Sequence, residues 1–210
     1  MSRHFASTVL AVMVLLAGCS SVSLQHTTAW NRPGGTQVPV AASIDSDTSA
    51  RFGLAIDHMQ AGRWDDAIPI LESLTESHDR LAGPWLNLGI AYTRSGNSDS
   101  ARTAFEAATA CNPQQAEAWN QLGMLHRRGG EHVQAAAMYR RAIDADPEHA
   151  DTHWNLAVLH DLYLPDGNAA HHHLVRYQQL TGSEDPQLLH WMTELRERTT
   201  TGMTAGATGQ

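Results

Sequence analysis

The side chains with chemical potential in this sequence are its histidines. There are 13 in 210 residues, and six fall between positions 149 and 173: His149, His153, His160, His171, His172 and His173. His149 and His153 stand at i and i+4, a spacing that can set two imidazoles on one helix face and hold a divalent metal. Other chemistry finds little support. The chain has no GxSxG, CxxC, HExxH or phosphate-binding glycine loop. Every basic side chain is arginine; the absence of lysine excludes a Walker-type phosphate lysine and a Schiff-base lysine. A formal charge of −8 with no basic patch argues against nucleic acid as a partner. No catalytic residue, no cofactor and no small-molecule substrate are expected. Of the two cysteines, Cys19 lies near the start, and Cys111, near the end of an expected second helix, is more readily a small packed residue than a reactive thiol.

The elements that must position these histidines repeat. Residues 82–115 and 116–149 are two copies of one 34-residue unit. Trp85 returns as Trp119, Leu88-Gly89 as Leu122-Gly123, Gly96 as Gly130, Ala101 as Ala135, Phe105 as Tyr139, Ala108 as Ala142 and Pro113 as Pro147. The same interval backward and forward gives a small-residue column of Ala67, Ala101, Ala135 and Ala169, and a leucine column of Leu54, Leu88, Leu122 and Leu156. Four units follow: 48–81, 82–115, 116–149 and 150–181, the outer two degenerate. Trp85, Leu88, Gly89 and Tyr92 share one face of a first helix, and Ala101, Phe105 and Ala108 one face of a second. Gly89 and Ala101 let the two approach closely, Gly96 suits a left-handed helix end, and Pro113 and Pro147 suit the turn into the next unit. Pro69 is expected in the first turn of its helix.

This pattern resembles the tetratricopeptide repeat. The resemblance implies an all-α superhelical solenoid of four helix-turn-helix repeats, in which stacked first helices line a concave groove that binds peptides. Asn87, Gln121 and Asn155 form a 34-residue ladder along those helices, with Asn120 beside it, and amides can both donate to and accept from a peptide backbone. Arg94, Arg127 and Arg128 lie further along and suit carboxylates. The lysines of the family's chaperone-tail carboxylate clamp are absent. In this register His153, His160 and His173 occupy the columns of Trp85, Tyr92 and Phe105, so three imidazoles could converge as metal ligands. Alternatively histidine replaces an aromatic there, as the sharing of the His160 column by His58 and His126 suggests.

Residues 1–18 read as a signal peptide, with Arg3 followed by an apolar run too short for the ~20 residues of a membrane span. Leu16-Ala17-Gly18-Cys19 resembles the lipobox of bacterial lipoproteins, which implies cleavage before Cys19 and its lipidation; an ordinary secretory signal is the alternative. With Ser20 after the cysteine, enterobacterial-type sorting implies an outer-membrane lipoprotein facing the periplasm. Residues 19–47 then read as the lipidated cysteine and a flexible tether, reaching roughly 30 Å as a coil. At the other end, 183–198 is expected as a capping helix, with Asp185 as cap and Pro186 as first residue, and 199–210 as a disordered tail.

Two functions follow as expectations. One is a membrane-anchored periplasmic adaptor, not an enzyme, that holds a peptide or helix of another protein of the cell envelope. The other is a histidine-based metal-binding or metal-sensing protein.

Overall fold

The computed structural model describes residues 45–207, with side chains as far as Thr200. The signal peptide, Cys19 and nearly all of the tether lie outside the described residues. Within them every element is a helix. α1 is Ser46–Gln60, α2 Trp64–Ser77, α3 Ala82–Ser95, α4 Ser98–Cys111, α5 Ala116–Arg128, α6 His132–Ala145, α7 Ala150–Leu162, α8 Gly167–Thr181 and α9 Pro186–Ala207. None of these helices is long and apolar enough to cross a membrane.

The chain divides into two compact units at Pro113. The first holds α1 to α4, with each helix packed on the next and α1 also touching α3. Its core joins Phe52, Ala55, Met59, Ala67, Leu71, Leu74, Leu88, Ala91 and Ala104. The second holds α5 to α9; again neighbours pack in order, and α5 also touches α7. Ala135, Ala136, Tyr139, Leu156 and Leu159 form one of its clusters. Ala157, Ala170, Leu174, Leu188 and Leu195 form another. Helix ends obey local chemistry. The side chains of Asp45, Asn97 and Asp166 accept from the backbone N–H of Thr48, Ser100 and Ala169, satisfying donors that the first turn leaves free. Gly62, Gly96 and Gly130 turn the chain between paired helices at positive φ, where a Cβ would strain the backbone.

Each pair is held by one tight contact. A Cβ on Gly89 would lie 2.5 Å from the Phe105 ring, and one on Gly123 would lie 2.5 Å from Tyr139. In the outer pairs the partners change together. Alanine replaces glycine at Ala55 and Ala157, and leucine replaces the ring at Leu71 and Leu174, all four fully buried. A smaller side chain on the second helix makes room for a larger one on the first.

Four expectations need correction. The buried alanine of the fourth pair is Ala170, not Ala169, which is only half-buried. The turn 163–166 carries one residue more than the turn 129–131, so α8 starts at Gly167 and its register moves by one. Leu54 is 50% exposed, because no described helix precedes α1 to cover it. Pro69 sits inside α2, beyond its first turn; Pro69 and Asp65 are both exposed, so the carbonyl that loses its donor is open to water. Helix α9 passes its expected end at Glu197–Arg198 and continues to Ala207, while the Thr199 methyl packs where a Cβ on Gly167 would fall, at 2.9 Å.

The register is testable. Ala170→Leu should overpack the α7–α8 contact and cost about 1–3 kcal/mol in urea denaturation, whereas Ala169→Leu should stay within about 0.5 kcal/mol. Gly123→Ala should likewise destabilise, and adding Tyr139→Leu should recover part of that loss, as the native Ala157 and Leu174 pair implies.

Candidate functional site

The amide ladder is largely consumed by folding. Asn87 is buried and donates to the Gly83 carbonyl one turn earlier at 2.8 Å; its Oδ1 has no partner. Asn155 Nδ2 donates to Asn120 Oδ1 at 2.9 Å, and both residues are buried, so this bond ties α5 to α7. Asn120 and Asn155 therefore brace one helix against another, Asn87 bonds within its own helix, and all three, being buried, offer little to a peptide. Gln121 is half-buried and donates to Glu117 at 2.6 Å. Arg94 is exposed, with its guanidinium 5.8 Å from the Trp64 ring centre. Arg128 is exposed as well, while Arg127 is half-buried with an unpartnered Nε. Tyr139 carries a buried hydroxyl with no hydrogen-bond partner; burial pushes its pKa up to about 12 against the opposing charge of Arg127.

The histidines of α7 and α8 do come together, though not as ligands. His153 Nε2–H donates to the Pro147 carbonyl at 3.1 Å, since a carbonyl can only accept. The neutral ring is therefore bare at Nδ1, and His173 Nδ1–H donates to it at 3.0 Å. His160 lies stacked on His173, centroids 6.0 Å apart and rings 15° from parallel, with its own Nδ1 buried and unpartnered. His172 meets His173 edge-on. Both nitrogens of His153 are spent, and His160 presents a ring face instead of a lone pair. Among the described residues no group of three or more histidine, cysteine or acidic side chains could hold a metal ion. The expected three-imidazole centre does not form. The extra residue before α8 is one cause, because it puts Leu174 in the column of Phe105 and leaves His173 beside it.

Every charge around this cluster disfavours protonation except one. Burial, then the charges of His153, His172, His160 and Arg140, pushes His173 down to about 4. Burial also lowers His153, helped by Arg176, His172 and His149 and opposed by the Pro147 carbonyl. His160 is lowered by burial against the pull of Asp166. His149 behaves in the opposite way. Burial alone would lower it, but its bond to Glu117 Oε2 at 3.1 Å and the charges of Glu117, Asp151 and Asp146 raise it. It also caps α7, accepting from the Thr152 N–H at Nδ1.

One group of residues near the end of the chain was not singled out by sequence. Trp154 on α7 is 38% exposed. Its ring packs against Tyr177 of α8 at 5.1 Å and edge-on against Trp191 of α9 at 5.5 Å. Trp191 Nε1–H donates to Asp161 at 2.7 Å, and Arg198 bonds the same carboxylate at 2.5 Å. The signal was present: the tryptophan expected at position 153 stands one place later, after a histidine.

The depressed imidazoles predict acid sensitivity. Their folded pKa lies below the free value of 6.5, so unfolding takes up protons between 6.5 and about 4. The stability they contribute is present above pH 6.5 and lost as pH falls toward 4. For His173 the loss should be on the order of 1–2 kcal/mol once screening is allowed for. Urea midpoints measured across this range should fall with pH, and His173→Gln should flatten the slope. An equal slope in both proteins would assign it to carboxylates instead.

Two family models, both described as tetratricopeptide repeat, match the chain: one at residues 86–150 and 134–161, the other at 48–73. No curated protein matches. Among solved structures, a crystal structure of MamA superposes with a TM-score of 0.57 at 16% identity, covering 72% of this chain and 97% of that one. A thermophilic TPR protein of Thermus thermophilus gives 0.59 at 20% identity, covering 71% and 81%. The APC/C hetero-tetramer Cut9-Hcn1 gives 0.61 at 17% identity, covering 70% of this chain and 29% of that one. At these identities the likeness shows the fold, and it agrees with the glycine–aromatic contacts and the 34-residue period: the described residues form an all-α fold of tetratricopeptide repeats.

Proposed function

We propose that this protein is a lipid-anchored adaptor of the bacterial envelope, without catalytic activity, which holds a peptide or helix of a partner protein along its first helices. The observation that carries the reading is on α5 and α7. These first helices touch each other, bury one side, and leave Arg128, Trp154 and the half-buried Gln121 toward solvent. Exposed aromatic and arginine side chains on a rigid support are the usual anchors of a protein interface. On α3, Arg94 offers the same chemistry. The lipobox-like Leu16-Ala17-Gly18-Cys19 supports the anchor, and Ser20 after it supports the outer membrane facing the periplasm. Several buried acyl chains hold a protein durably at a bilayer where one alone does not.

Two measurements test the two halves of this reading. Cys19→Ala should abolish metabolic labelling with radioactive palmitate and release the protein from the membrane fraction; persistent labelling would rule out Cys19 as the anchor point. Crosslinking in intact envelopes should recover one or a few partners, and Arg128→Glu with Gln121→Ala should reduce that recovery roughly tenfold, the loss of one interface anchor. Undiminished recovery would move the binding surface elsewhere.

A further inference from the structure

We infer that the exposed side of α7 holds a cationic side chain, arginine or lysine, of a partner peptide, with its charge over the Trp154 ring and Asp151 as its counter-ion. The inference rests on the adaptor reading and names the chemistry of the ligand at one place on it.

Three observations converge. The first is the platform. Trp154 is exposed yet fixed, since Tyr177 and Trp191 pack against its ring and Trp191 is itself tied to Asp161. A pinned aromatic ring loses little entropy on binding, which is why such rings anchor interfaces. The second is the charge. Asp151 lies one turn before Trp154 on the same helix face, at i and i+3. Among the described residues it makes no hydrogen bond or ion pair. The other carboxylates nearby are committed: Glu117 to His149 and Gln121, Asp161 to Trp191 and Arg198, Asp185 to the Gln187 N–H that it caps. Burial and the negative charge of Glu117 raise the Asp151 pKa, with His149 offsetting part of this. An arriving cation would relieve that repulsion. Burial raises the neighbouring Tyr177, and the negative charges of Asp151 and Asp185 push it the same way.

The third observation is comparative. Trp64 has the Arg94 guanidinium 5.8 Å from its ring centre, and Trp119 has Arg141 at 4.9 Å. Both are cation–π contacts supplied from within the chain. Trp154, like Trp85 and Trp191, has no arginine over its ring among the described residues; of these three it is the exposed one, with a free carboxylate one turn before it. The vacant partner is a guanidinium or ammonium from outside. A net charge of −8 would favour the approach of a basic segment.

The probe is a set of capped octapeptides of glycine and serine, identical except for a central arginine, lysine, glutamine, leucine or glutamate. The readout is the indole N–H resonance of Trp154 in the folded protein, assigned by its disappearance in Trp154→Phe. The arginine and lysine peptides should shift that resonance saturably and bind roughly three- to tenfold more tightly than the glutamine peptide. The glutamate peptide should leave it in place. Asp151→Asn should cost the same factor and keep the rest of the spectrum. Leucine or glutamate binding as tightly as arginine, or Asp151→Asn without effect, would overturn the inference. Crosslinking to native partners separates the two readings. Recovery that is insensitive to Asp151→Asn, with no response to any cationic probe, sinks this subsite and leaves the adaptor standing. A response to the cationic probes with no envelope partner captured sinks the adaptor and leaves the subsite.

Discussion

Everything in this fold depends on how closely two helices of a pair can lie. The contact between Gly89 and the Phe105 ring, repeated between Gly123 and Tyr139, leaves no room for even one methyl group. A large flat side chain can enter the second helix only because the first has none there. Where the second helix carries leucine, as at Leu71 and Leu174, the first can carry alanine. The sum of the two volumes is kept while the individual residues vary, as a densely packed core requires. Spacing between the helices, and hence the position of every outward side chain, follows from that sum.

This constraint explains what was legible in the sequence. Small residues at a closely packed contact have few substitutes, so Ala67, Ala101 and Ala135 repeat at a constant interval and mark the second helices. The same reading misplaced Ala169 because a turn is not under that constraint. A surface turn tolerates an added residue at small entropic cost, and one addition shifts every later position without disturbing the helix pattern itself. Leu54 misled for a related reason: its column is buried only where another helix covers it. The expected tail failed differently. Nothing in Thr199–Ala207 signals a helix, and it is the bare Gly167 on α8 that receives Thr199.

The polar residues were harder to read because chemistry alone does not say which way a side chain serves. An asparagine ladder on a first helix fits a peptide-binding groove and an internal brace equally well. Here the bond between Asn120 and Asn155 decides for the brace, since both are buried and an unpaired buried amide would cost about 1–3 kcal/mol. The histidines divide along the same line. His153 and His160 stand in aromatic columns, and with His173 they are pushed toward the neutral form by burial and then by neighbouring positive charge. His149 is held toward its charged form by Glu117. Six histidines close in sequence thus do at least two different things, and neither is metal coordination among the described residues.

Two displacements of a single residue account for the character of the fourth pair. In the earlier pairs a tryptophan at the start of the first helix, Trp85 or Trp119, lies partly buried. In the fourth pair His153 takes that place and is buried, and the tryptophan moves one position on, about 100° around the helix. The ring that would have entered the core is carried to the surface, where Tyr177 and Trp191 can only support it from one side. The second displacement, in the turn before α8, brings Tyr177 into the position held by Ala108 and Ala142 in the earlier pairs, and so next to Trp154. An aromatic surface with an uncommitted carboxylate is therefore the product of two shifts against an otherwise strict period. A residue that merely filled the core would have stayed in its column.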